Sequence, residues 1–187
     1  MGVQSLDFNH LKAMDFSLDL PLSVEGQVKK NARVEIIFTC HCYSREIEQN
    51  ESVPANYIVQ DGIRARVFCR ERYEYSLSLP EKMVGLLKDN SEVFRTVKAN
   101  FFSVYLCEVD DNGDSLIIPY TIFMDANQKQ EPNRPQKIVI HVKSAHLRRK
   151  KAQPTAVGAG VNVLSLLGEV WEHGKQLKRS PRKKPSK

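Results

Sequence analysis

Four separate runs of this sequence place an apolar residue at every second position, the period of a strand with one covered and one open face. They are Phe16-Leu18-Leu20, Val34-Ile36-Phe38 continuing through Cys40 and Cys42, Ile63-Ala65-Val67-Cys69, and Ile138-Ile140-Val142. A chain patterned in this way folds around a sheet. Asp61-Gly62 separates Tyr57–Val59 from the third run, and Asp-Gly between two alternating segments is a strong hairpin signal. A second hairpin is predicted from Asn100–Val109 and Leu116–Asp125, joined by the acidic turn at 110–114. With the Ile138–Val142 run following, the last three strands are expected to be consecutive and antiparallel.

The period changes at 78–90. Pro80 and Glu81 open a segment in which Met83, Val84, Leu86 and Leu87 fall on one side, predicting a short helix that stops near Asn90. The spacing of Val161, Leu164, Leu167, Val170 and Trp171 predicts a second, amphipathic helix over 161–174. The expected architecture is an α+β domain over residues 1–147, with a mainly antiparallel sheet and one or two short helices packed on one face. A basic flexible linker at 148–160, the helix, and a disordered basic tail at 175–187 follow.

With 187 residues, 41% of them hydrophobic, the chain has material for one core. No run approaches the roughly 18 apolar residues that suggest a membrane span, and the N-terminal segment lacks the basic and apolar regions of a signal peptide. These features predict a cytoplasmic protein. The four cysteines are then expected as free thiols. Residues 148–187 hold eleven Lys or Arg against Glu169 and Glu172, whereas the preceding residues hold 17 basic and 20 acidic side chains. Affinity for a polyanion is therefore a property expected of the C-terminal part, where Arg148, Arg149, Lys150 and Lys151 begin the basic stretch.

Cys40-His41-Cys42 has the residue types of a metal site. On a continuous strand, however, His41 faces away from the two thiols, so the alternation predicts buried cysteines acting as small hydrophobes and no metal or other cofactor. The opposite face presents His41, with Arg45 beyond it, and imidazole is the side chain suited to proton transfer near neutrality. In the neighbouring run Arg64, Arg66 and Arg70 lie at even spacing with Phe68, and Arg72 and Tyr73 follow. Guanidinium groups can grip phosphate in bidentate fashion, and aromatic rings among them can stack on bases. Ser144 and His146 end the last strand. Each of these groups has an ordinary reading as solvated or loop polarity.

Phe38-Thr39-Cys40-His41-Cys42-Tyr43-Ser44-Arg45, the pattern Arg66-Val67-Phe68 with Arg72-Tyr73, Ser76 and Leu79-Pro80, Asn100-Phe101-Phe102 with Val104, and Val142 with Ser144-Ala145-His146 resemble a group of bacterial proteins. The names attached to that group are stationary-phase growth adaptation and heat-shock protein. More remotely, a helix followed by three antiparallel strands resembles the barnase, colicin and RelE class of small ribonucleases and toxins. That resemblance implies RNA binding and metal-independent endonucleolytic cleavage in a stress-response setting. It makes His41, Arg45, Arg66, Ser144 and His146 the catalytic candidates. Arg64, Arg70, Arg72, Tyr73, Arg148, Arg149, Lys150 and Lys151 are the nucleic-acid-binding ones. The chain departs from the class in two respects: two strands precede the helix, and no carboxylate is evidently paired with His41. The other readings are a non-catalytic nucleic-acid-binding accessory protein that uses its tail, and an adaptor that docks a protein partner through the helix near Trp171.

Overall fold

The computed structural model describes residues 6–22, 29–97, 100–111, 114–149 and 156–175. In chain order the strands and helices are β1 (Met14–Pro21), β2 (Lys29–Phe38), β3 (Ser44–Arg45), β4 (Ile58–Asp61), β5 (Arg64–Phe68), α1 (Arg70–Ser76), α2 (Leu79–Lys88), β6 (Glu92–Arg95), β7 (Phe101–Asp111), β8 (Asp114–Lys129), β9 (Lys137–Leu147), β10 (Val161–Asn162) and α3 (Val163–His173). Seven strands form one sheet in the order β1-β2-β9-β8-β7-β6-β10, and β3-β5-β4 form a small second sheet.

The α+β class holds, and the hairpin β7-β8 and its neighbour β9 pair antiparallel in sequence order. The large sheet is nevertheless mixed, because β2 pairs with β9 in parallel, placing Val34, Ile36 and Phe38 beside Ile138, Ile140 and Val142. Parallel neighbours need a long crossover, here the chain from Thr39 to Gln136, which contains the small sheet, two helices and the β7-β8 hairpin. Alternation predicts a strand's face but not its partner, so the parallel pair was not legible from the pattern.

One apolar cluster unites Val34, Ile36, Ile138, Ile140, Val142, Tyr120, Ile122 and Met124 of the sheet with Leu79, Met83, Leu86 and Leu87 of α2. Val163, Leu166, Leu167 and Val170 of α3 complete it. These four α3 residues follow the i, i+3, i+4, i+7 rule of a covered helical face, leaving Leu164 and Trp171 at the margin. The buried stripe thus differs from the one expected from Val161, Leu164 and Trp171. Gly168 is where α3 comes closest to β1, since a Cβ there would lie 2.1 Å from the Pro21 carbonyl oxygen. Gly174 ends the helix at φ 77°, a left-handed conformation that favours glycine.

Arg95 of β6, only 3% exposed, donates to Glu169 of α3 at 2.7 Å. A buried guanidinium needs such an anionic partner, because its desolvation is otherwise uncompensated. Among the described residues, no helix is long and apolar enough to cross a membrane.

β9 carries one extra residue against β8. Val142 faces Met124 and Ser144 faces Phe123, with Lys143 between them. Core positions accordingly shift from Ile138, Ile140 and Val142 to Ala145, all fully buried, while Ser144 and His146 are less so.

Candidate functional site

The alternation that begins in β2 continues in sequence through Cys42, but the strand does not. Thr39 remains extended, its N–H donating to the Val142 carbonyl at 3.1 Å and its Oγ1 donating to the Lys143 carbonyl at 2.8 Å. Cys40–Cys42 then coil into a single 3₁₀ turn, closed by Cys42 N–H to Thr39 O and Tyr43 N–H to Cys40 O, both 3.1 Å. The expected strand face carrying His41 is corrected by this turn.

The turn's polar groups are satisfied from a distance, and this accounts for the departure from strand geometry. Ser44 is fully buried. Its Oγ donates to Cys40 O at 2.7 Å and accepts from Arg66 Nε at 2.9 Å. Arg66 also donates to Ser44 O at 3.2 Å, and Arg72 of α1 donates to His41 O at 3.1 Å and Ser44 O at 2.7 Å. Two guanidinium groups therefore do the work that a neighbouring strand does elsewhere, each from a residue more than twenty positions along the chain. Cys42 packs in the core with its thiol pushed up to about 12 by burial, in keeping with a small hydrophobe.

The same turn brings Cys40 and His41 to Asp61 at the end of β4. His41 Nε2 lies 2.6 Å from Asp61 Oδ2, with the two side chains 33% and 36% exposed. The hydrogen bond from His41, followed by its charge and a contact from Cys40, holds the Asp61 carboxyl below its ordinary range. The carboxylate is therefore the acceptor and Nε2–H the donor. Burial, reinforced by the Asp61 charge, raises the Cys40 thiol above its ordinary range. Among the described residues, Cys40, His41 and Asp61 form the one group of three His, Cys or acidic side chains whose ligand atoms all lie within 4.8 Å of one another. A row of rings flanks the turn: Tyr57 to Phe68 at 6.3 Å, Phe68 to Tyr73 at 5.7 Å, Tyr73 to Phe8 at 5.4 Å and Phe8 to Tyr43 at 4.6 Å.

The arginines separate into two kinds. β5 ends at Phe68 and Arg70 opens α1, so Arg64, Arg66 and Arg70 do not share one strand face, contrary to the expected stripe. Arg66 and Arg72 are turned inward to brace the turn, and Arg45 is clamped by both carboxylate oxygens of Glu51, at 2.6 and 2.8 Å. Arg64 and Arg70 are exposed. Arg64 is opposite Asp61 across the β4-β5 hairpin. Tyr73 donates to the Asp7 carbonyl at 2.9 Å.

Ser144 and His146 face β8 residues Phe123 and Thr121, and the His146 ring stacks on Phe123 at 6.1 Å. The Arg148 guanidinium lies 5.8 Å from the same ring, and Arg149 pairs with Glu71 at 2.9 Å. Lys150 and Lys151, like the tail beyond Lys175, lie outside the described residues. Asp61 was missed in the sequence because an Asp before Gly is explained completely by turn chemistry. Cys40 was missed because it fitted the apolar alternation.

A family model matches residues 1–171. The chain belongs to the YjaZ family. The YjaZ match takes in the turn at 40–42, Asp61, both exposed arginines and all but the last two residues of α3. It carries neither a stress-response assignment nor a ribonuclease likeness. A search of curated proteins and a search of solved structures each returned no match.

Proposed function

We propose that this protein binds RNA and cleaves it by proton transfer through His41, oriented by Asp61. The single observation that carries the reading is the 2.6 Å hydrogen bond between these two side chains at a partly exposed turn. With Nε2–H directed at the carboxylate, Nδ1 is the ring's basic nitrogen, the arrangement required of a general base held in one tautomer. In the proposed reaction Nδ1 takes the proton of a ribose 2′-hydroxyl, and that oxygen attacks the adjacent phosphorus. The 5′-oxygen of the next nucleotide leaves and takes a proton from solvent, giving a 2′,3′-cyclic phosphate. Arg64, opposite Asp61 across the β4-β5 hairpin, and Arg70, next to Cys69 whose N–H donates to the Tyr43 carbonyl, are exposed and free of the bracing role of Arg66 and Arg72, and are the groups assigned to the phosphate. A DNA strand lacks the attacking hydroxyl and is bound without being cut.

The test is incubation of the full chain with single-stranded and structured RNA in a chelating buffer, alongside His41→Ala. Cleavage by the wild type that is lost in the variant supports the reading, and equal results for the two proteins remove it.

A second reading, a non-catalytic nucleic-acid-binding accessory, is favoured by the engagement of Arg45, Arg66 and Arg72 in internal contacts. On that reading, phosphate affinity comes chiefly from the basic side chains of residues 148–187, and removing 176–187 together with Lys150→Ala and Lys151→Ala, which leaves the core residues of α3 in place, abolishes most of the salt dependence of binding. An adaptor role for the helix near Trp171 has less to recommend it, because Val163, Leu166, Leu167 and Val170 are spent on the chain's own core.

A further inference from the structure

We propose that Cys40, His41 and Asp61 form a binding site for one divalent transition-metal ion of the zinc and cobalt class. The inference goes beyond the proton-transfer reading and does not depend on it. Three observations support it together.

First, the donor set is one sulfur, one imidazole nitrogen and one carboxylate oxygen, all within 4.8 Å. Thiolate and imidazole select zinc-like ions over magnesium or calcium, which take oxygen ligands. A tetrahedral ion with bonds of about 2.0–2.3 Å sets its ligand atoms roughly 3.3–3.6 Å apart. Binding would adjust the three ligand atoms from within 4.8 Å of one another to that spacing. The ion would replace the proton now held between Nε2 and Oδ2, and that pair would open from its 2.6 Å separation.

Second, the backbone beneath the donors is fixed before any ligand arrives. The carbonyls of Cys40, His41 and Ser44 are held by Ser44, Arg66 and Arg72, and Thr39 is tied to β9 on the other side. A site on a braced turn loses little freedom on binding.

Third, charge and coordination number match. Thiolate and carboxylate together balance a doubly charged ion, with the nearby Arg66 guanidinium as the opposing charge. Arg66 is near enough for its charge to act on both Cys40 and Asp61, while its Nε and one terminal nitrogen donate to Ser44. Three protein ligands on partly exposed side chains leave the fourth position to water or a small ligand, as in catalytic rather than structural zinc sites. Binding displaces the Cys40 thiol proton to solvent and shifts the imidazole proton from Nε2 to Nδ1, which frees the Nε2 lone pair for the ion and withdraws the His41–Asp61 hydrogen bond.

The experiment is titration of the full chain, purified in chelator and exchanged out of it, with Co(II), read by the thiolate-to-cobalt charge-transfer absorption. We expect one ion per chain and loss of the band in Cys40→Ser, with Cys69→Ser and Cys107→Ser unchanged. Asp61→Asn should weaken binding by at least about tenfold, the loss seen when even an outer-shell partner is removed. Far-UV circular dichroism of each variant separates loss of the site from loss of the fold. Absence of the band in the wild type, or its persistence in folded Cys40→Ser, would overturn the proposal. Since this readout involves no RNA, its failure is distinct from failure of the cleavage assay.

Discussion

His41 and Asp61 are joined by a 2.6 Å hydrogen bond that ties the turn after β2 to the end of β4. The carboxylate fixes which imidazole nitrogen carries the proton and leaves the other as the base. Asp61→Asn retains a polar group of the same shape but removes the charge and the preference for that tautomer. The proposed function predicts that RNA cleavage falls within the about 10²–10⁴-fold range attributable to general-base catalysis, with unchanged circular dichroism. The kcat/KM of the variant, measured in chelator, checks this.

Arg64 and Arg66 are two residues apart on β5 and are expected to behave differently. Arg66 is 7% exposed and donates to Ser44, so Arg66→Ala should act on stability by leaving the buried Ser44 Oγ without its donor while Ser44 O keeps its bond from Arg72, at about 1–3 kcal/mol. Arg64 is exposed, and Arg64→Ala should leave stability unchanged while reducing the salt slope of RNA binding by about one. Denaturant midpoints and binding isotherms at several salt concentrations distinguish the two.

Gly168 tests the seating of α3 on β1. A Cβ at this position meets the Pro21 carbonyl oxygen at 2.1 Å, and backbone cannot yield as a side chain does. Gly168→Ala should destabilise the fold by about 1–3 kcal/mol, the range for overpacking, although alanine favours a helix intrinsically. Chemical denaturation of the two proteins supplies the comparison.

Glu51 accepts from Arg45 and from the Glu48 backbone N–H, and these contacts hold its carboxyl near 2, below the ordinary value of 4.5. A depressed folded value means that its contribution to stability is present above the ordinary range and is lost as pH falls from about 4.5 towards 2. The denaturant midpoint of the wild type should therefore decline more steeply across this window than that of Glu51→Gln.

Local patterning disclosed the strands and hairpins because both depend on neighbours a few residues away. Asp61-Gly62, with Gly62 at φ 60°, is such a case. The long-range decisions were not legible. Nothing in residues 34–38 names residues 138–142 as their parallel partner, a pairing made across the rest of the fold. Cys40 and Cys42 continued the strand's apolar period, yet Arg66, Arg72 and Ser44 satisfy the backbone of a turn there, and a period cannot register such remote donors. His41 was legible as a candidate by its chemistry. Its partner was hidden in a residue whose turn-forming role already sufficed to explain it.

Proton transfer by His41 in RNA cleavage is put to the test by the rate of RNA cleavage by wild type and by folded His41→Ala in chelating buffer. The wild type should leave 2′,3′-cyclic phosphate ends, and the variant should be slower by about 10²–10⁴-fold. Equal rates in the two proteins, or intact RNA with stoichiometric wild-type protein, would contradict it.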